Sequence, residues 1–123
     1  RSRERSTKIL KLADGLGIRV AWLPFESEPP RCNLIVSTVP AGSLIRRAED
    51  LAARANAVFD VVYDPWPTPL AVAGKIAGAT VIDGLDLLAG QAVGQVQLMT
   101  GYPVPMDVLR STAQNGLAEH ARL

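Results

Sequence analysis

The sequence has one cysteine, Cys32, and one histidine, His120. A single thiol forms no internal bridge, so the 123 residues must be held by a core, and a chain of this length buries roughly two-thirds of its unfolded surface. One histidine near the end of the chain leaves a Ser-His-Asp triad or a histidine-rich metal cluster without enough members. Cys32 has neither a second cysteine nor a histidine nearby in sequence and reads as a small packing residue. No apolar run approaches the ~20 residues that span a bilayer. No signal-peptide pattern is read in these residues, and with the scarcity of cysteine a cytoplasmic chain is expected. Lys and Arg exceed Asp and Glu by one, giving a formal net charge of +1, so no global basic field argues for nucleic acid. Neither a Gly-x-Gly-x-x-Gly fingerprint nor a Walker-type loop is present. The chain also lacks an initial Met: it opens on Arg1-Ser2-Arg3-Glu4-Arg5-Ser6, which reads as the middle of a domain and predicts a fragment.

What is present is 48% hydrophobic and 20% charged residues, the composition of a soluble globular domain. The positive charge sits at the front, where Arg1, Arg3, Arg5, Lys8 and Lys11 face only Glu4. Ile9, Leu10, Leu12 and Ala13 predict an amphipathic helix over residues 3–14, stopped by Gly15 and Gly17. Residues 18–23 predict a strand, as do residues 33–38 (a buried one), 58–63 and 79–83. Ser43 is expected to cap a helix whose apolar stripe is Leu44, Ile45, Ala48, Leu51, Ala52 and Ala55. Thr68 followed by Pro69 predicts another helix start, running to about Ala77 and ended by Gly78. Gly84 opens a longer helix to about Met99, closed by Gly101, and a last helix covers 106–114. Strands alternate with helices and no hairpin signal intervenes. The expected fold is therefore α/β: a three-layer, mostly parallel, Rossmann-like sheet with helices on both faces, a partial dinucleotide-binding domain.

In such folds ligands bind beyond the carboxyl ends of the strands, which selects five places. At the front, Arg1, Ser2, Arg3 and Arg5 lie where a dinucleotide fold reads the ribose. Arginines there suit a 2′-phosphate and favour NADP over NAD, the competing reading being a solvated helix face. Ser37-Thr38-Val39-Pro40-Ala41-Gly42 lets a ligand approach the backbone, or is an ordinary loop. Asp60-Val61-Val62-Tyr63-Asp64-Pro65 ends a strand on a phenol that can meet a hydroxylated ligand or simply keep a wet tip. Gly84 can admit a planar ring to the main chain. Leu87 and Gln91 share a helix face, and an amide so placed can grip a polyol or face solvent.

The run Asp60-Val61-Val62-Tyr63-Asp64-Pro65-Trp66-Pro67-Thr68-Pro69-Leu70, followed by Asp83-Gly84-Leu85-Asp86-Leu87-Leu88-Ala89-Gly90-Gln91-Ala92 and Thr100-Gly101, resembles the carboxy-terminal NADP-binding half of shikimate dehydrogenase, particularly its actinobacterial forms. The family's pattern there reads D-x-x-Y-x-P-x-x-T-P-L-L, then G-x-x-M-L-x-x-Q-A and a closing T-G. Its N-R-T-x-x-R/K motif falls on Arg1, Ser2 and Arg5, and its loop beside the cofactor falls on the stretch containing Thr38. Ser2 stands for the usual Thr, and Leu87 for the usual Met.

The resemblance implies that Arg1, Ser2 and Arg5 bind the 2′-phosphate of NADP, that Thr38, Val61, Gly84 and Leu87 line the cofactor, and that Tyr63 and Gln91 hydrogen-bond shikimate or 3-dehydroshikimate. It also implies an amino-terminal substrate domain, absent from this chain, that carries the catalytic Lys and Asp. The residues of 1–123 would then be a single cofactor domain whose last two helices, about 85–115, return toward that substrate domain. No catalytic residue and no metal ligand is expected within the chain, which alone should be inactive. The expected partners are a small-molecule substrate and a second copy in a homodimer, with no nucleic acid and no membrane. Two alternatives stay open: a quinate-accepting relative, and a noncatalytic nucleotide-binding module.

Overall fold

Apolar residues at helical spacing form α1, Arg3–Gly15, where the sequence predicts it. Its end is a complete Schellman motif. Gly17 takes φ 68°, its N–H donates to the Asp14 carbonyl at 3.0 Å, and the Ile18 N–H donates to the Ala13 carbonyl at 2.8 Å. A Cβ disfavours that left-handed conformation, so glycine belongs there. The computed structural model describes residues 3–120, in two compact units, one ending at Pro30 and one beginning at Arg31. Residues 18–23, expected as a strand, join no ladder among the described residues. Ile18 and Val20 are exposed, and alternation without a partner strand does not hold a strand.

The second unit is built on three parallel strands in the order β1 (Cys32–Ser37), β2 (Ala55–Asp60) and β3 (Thr80–Ile82). This is the parallel α/β arrangement that the alternation of elements predicts. Ile35, Val58 and Val81 stand side by side in register. With Leu44 and Leu70 they form the core beneath α3, Pro69–Ile76. Val36, Phe59 and Ile82 are the corresponding row on the opposite face. β1 is less covered than expected: it is an edge strand among the described ones, and Leu34 and Val36, two residues apart and so on one face of it, are exposed.

The single helix expected from Ser43 to Ala55 is instead a 3-10 turn, Ala41–Leu44, and a short α2, Ala48–Ala52. Pro40 and Gly42 favour the tight entry, where the Ser43 N–H donates to the Pro40 carbonyl at 2.8 Å. Arg47 then leaves helical geometry at φ −123°, ψ −5°. Ser43 is therefore not a cap, and Ala55 already belongs to β2. The apolar stripe is nevertheless used, since Leu44, Ala48 and Ala52 are buried.

The strand predicted over residues 58–63 is displaced too: β2 ends at Asp60, its register partner Ser37 being the last residue of β1. Val61 to Tyr63 run beyond the sheet as loop. α4, Gly84–Thr100, ends on Gly101 at φ 77° as expected, whereas α5, Met106–His120, runs six residues past the predicted Gln114. α5 packs against α4.

Candidate functional site at the carboxyl edge of the sheet

The ends of the three strands meet at one edge. Asp60 closes β2 and is buried. Its Oδ2 accepts from the Thr68 hydroxyl at 2.7 Å and its Oδ1 from the Val62 N–H at 3.4 Å. Thr68 caps α3, accepting from the Ala71 N–H at 3.2 Å, and Pro69 follows at the first helical position, where its missing donor is harmless. One carboxylate thus ties the loop after β2 to the start of α3. The same loop is tied to β1, where the Val61 N–H donates to the Ser37 carbonyl at 3.1 Å. The Ser37 hydroxyl is buried without a hydrogen-bond partner.

Gly84 joins this loop to α4. A Cβ built on Gly84 would lie 2.2 Å from the Val61 carbonyl oxygen and 2.9 Å from the Val62 carbonyl carbon. The space a side chain would take is filled by neighbouring main chain, which gives Gly84 a packing reason to be glycine. Asp83 and Asp86 then form a reciprocal capping box. Asp83 Oδ1 accepts from the Asp86 N–H at 2.8 Å, and Asp86 Oδ2 accepts from the Asp83 N–H at 3.1 Å. Their other oxygens accept from Arg110 of α5: Nη2 to Asp83 Oδ2 and Nε to Asp86 Oδ1, each 2.6 Å.

This clasp shows in the electrostatics. Burial pushes the Asp86 carboxyl up, but hydrogen bonds from Arg110 and the Asp83 backbone, with the Arg110 charge, outweigh it and hold Asp86 below the usual carboxylate range. The hydrogen bond to Asp86, against a smaller opposing cost of burial, holds Arg110 above the usual guanidinium value.

Thr38 follows Ser37 out of β1, Val61 follows Asp60 out of β2, and Gly84 starts α4 just after β3. Val61 and Gly84 are in contact. Leu87 and Gln91, one helical turn apart on α4, are both exposed. Tyr63, two residues beyond Val61, is 44% exposed. Arg5 lies exposed on α1, within the other unit, and Arg1 and Ser2 lie outside the described residues. A separate cleft of about 580 Å³ between α2 and α3, lined by Ile45, Ala48, Val72 and Ile76, includes none of the predicted site residues.

Sequence reasoning missed the Asp60–Thr68 pair and the Arg110 clasp. The first had a signal in the Thr-Pro start that makes Thr68 a cap. For the second, Asp83-x-x-Asp86 before an apolar helix announces the box, but nothing in sequence announces a partner 24 residues beyond Asp86. Among the described residues no helix is long and apolar enough to cross a membrane, and no group of three or more His, Cys, Asp or Glu is placed to hold a metal ion.

No family model matches the chain. Among curated proteins it is 36% identical over 91 residues to the NADP(+) shikimate dehydrogenase of Methanocella arvoryzae, covering 69% of this chain and 33% of that protein. A second NADP(+) shikimate dehydrogenase, from Chlorobaculum tepidum, is 33% identical over 90 residues, covering 66% of this chain and 30% of that protein. The chain spans about a third of the length of these curated relatives. Among solved structures, the shikimate 5-dehydrogenase of Mycobacterium fortuitum superposes with a TM-score of 0.78 at 35% identity, covering 90% of this chain and 43% of that one. The shikimate dehydrogenase of Mycobacterium tuberculosis gives 0.77 at 35%, covering 91% and 44%.

Proposed function

We propose that this chain, a relative of the shikimate dehydrogenases over about a third of their length, forms the cofactor-facing wall of an NADP-dependent enzyme that reversibly reduces 3-dehydroshikimate to shikimate. What supports the reading is that Thr38 and Val61 follow β1 and β2 at the carboxyl edge of a parallel sheet, where α/β folds hold nucleotides, and that Val61 packs against Gly84 at the start of α4, the helix that carries Leu87. The arrangement suits a nicotinamide ring. Val61 and Leu87 offer apolar surface, and the contact of Gly84 with the Val61 carbonyl makes the backbone beneath them firm.

Bound NADPH would supply the hydride, and the chain's own residues do the holding. Val61 and Leu87 support one side of the ring and exclude water from it. Tyr63 donates its phenolic hydrogen to a substrate hydroxyl, and the Gln91 amide holds another, so that the carbonyl carbon is presented to the ring. Arg1, Ser2 and Arg5 hold the 2′-phosphate. The proton on the new alcohol comes from a Lys and an Asp outside this chain, in an amino-terminal substrate domain that belongs to the same proposal, as do a cytoplasmic location and a homodimer.

A graft tests the reading. The chain replaces the corresponding segment of the Mycobacterium tuberculosis enzyme, and NADPH-dependent reduction of 3-dehydroshikimate is followed. Turnover within about tenfold of the parent, a barrier difference of about 1.4 kcal/mol, is the expected result. A folded graft that binds neither NADPH nor shikimate would overturn it.

A further inference from the structure

We propose that Arg110 is a positioning residue for this wall: from α5 it pins the first turn of α4 through two carboxylates at once and so fixes Gly84 and Leu87 relative to the loop carrying Val61. The proposal rests on the functional reading above. It adds a residue that touches neither cofactor nor substrate.

The geometry is that of a fork closed over a helix start. Nε and Nη2 of one guanidinium each reach a different aspartate at 2.6 Å. Each aspartate spends its remaining oxygen on the other's backbone N–H. Every carboxylate oxygen of the capping box is therefore committed, two to backbone and two to Arg110. The turn so held contains Gly84, and the Leu87 N–H donates to the Asp83 carbonyl at 3.3 Å within it.

A solvent-exposed ion pair contributes little. Here the Asp83 side chain is only 12% exposed and that of Arg110 33%, and the bonds are charge-assisted and made by a planar fork, which a lysine ammonium does not reproduce.

The anchor adds a directional link to the packing of α5 on α4. α5 buries no residue fully, and its half-buried positions Leu109, Ala113 and Leu117 give it only a shallow apolar stripe. A Cβ on Gly90 would stand 4.0 Å from the Met106 Cε at the start of α5, so the two helices lie side by side there. The two 2.6 Å bonds are thus the specific link that sets how the α4–α5 hairpin holds the helix start. If α4 shifts at its first turn, Leu87 shifts with it. Hydride transfer is sensitive to such displacement, since misplacement by about 1 Å can cost about a hundredfold in rate.

The test has two arms. In the full chain, amide hydrogen exchange is compared for the native sequence, Arg110→Ala and Arg110→Lys. Arg110→Ala should speed exchange at Asp86 and Leu87 by about tenfold or more, with Val72 and Ala77 of the α3 region within about twofold, and Arg110→Lys should fall between. Uniform acceleration, or none, would overturn the proposal.

In the graft, Arg110→Ala should lower kcat about tenfold while the KM for NADPH stays within about twofold, and adding Asp86→Ala should cost no more, because both act through one turn. Unchanged kcat with locally faster exchange would also overturn it. A graft inactive with Arg110 in place would instead count against the functional reading, and the exchange arm would then decide whether the fork holds the turn.

Discussion

Gly84 and Val61 share a space that holds only one of two things: a methyl group on Gly84 or the carbonyl oxygen of Val61, 2.2 Å from where that methyl would stand. The loop after β2 and the first turn of α4 therefore pack main chain against main chain. Val61 and Gly84, nominated separately in the sequence, are neighbours in the fold.

Gly84→Ala should consequently lower stability by about 1–3 kcal/mol, the usual cost of forcing a group into packed space, because the atoms it would meet are main chain and have no rotamer to yield. Gly94→Ala on the same helix meets nothing within 4 Å and should be neutral or stabilise by about 0.5–1 kcal/mol. Urea titration of the pair checks both. Equal effects would mean that the contact is not as described.

Thr68 holds two elements at once, accepting from the Ala71 N–H and donating to buried Asp60. Thr68→Val should lose the cap, about 1 kcal/mol, and leave the Asp60 Oδ2 without its donor, about 1–3 kcal/mol more. Thr68→Ser keeps both bonds and should recover most of the loss. Thermal unfolding of the three proteins measures the difference.

Asp86 gives a pH dependence with a fixed sign. Burial opposes its ionisation, but Arg110 and the Asp83 backbone N–H more than compensate, so its folded pKa lies below the unfolded one. The stabilisation is present above the unfolded carboxylate value, about 3.9, and is lost as pH falls through the lower folded value. The groups facing it are Arg110 and Asp83. Unfolding free energy of the native chain against Asp86→Asn should therefore differ near neutral pH, with the gap closing in acid. A gap that widens in acid would contradict the clasp.

In the proposed function Tyr63 and Gln91 hold the substrate. In the graft, Tyr63→Phe and Gln91→Ala should each reduce kcat/KM for 3-dehydroshikimate about three- to tenfold, the worth of one hydrogen bond, with the KM for NADPH unchanged. Steady-state kinetics varying each substrate separate the two. A loss confined to the cofactor would move both residues to the other side of the site.

Much of this was legible in sequence because the signals are local. Thr68-Pro69 marks a helix start, Gly78 and Gly101 mark helix ends, and the β-branched run around Ile35 marks a strand. The misreadings came where local pattern competes with partners. Residues 18–23 alternate like a strand but join no ladder among the described residues. The stripe from Leu44 to Ala55 is helical in spacing, yet Pro40 and Arg47 break it, and Ala55 is claimed by the ladder with β1. β2 ends early because the register stops at Ser37–Asp60. The Arg110 fork was invisible because long-range ion pairs leave no periodic trace, and for the same reason the sequence did not announce the packing of Gly84 against the Val61 carbonyl.

The central claim is that this chain supplies the wall that selects and holds NADP. Its most direct test is the ratio of kcat/KM for NADPH over NADH in the graft, before and after Arg1 and Arg5 are both replaced by Ala. The account predicts a clear preference for NADPH that falls by about a hundredfold or more on losing two charge-assisted phosphate contacts, with the NADH value within about twofold of its starting point. Equal losses for both cofactors, or an initial preference for NADH, would contradict it.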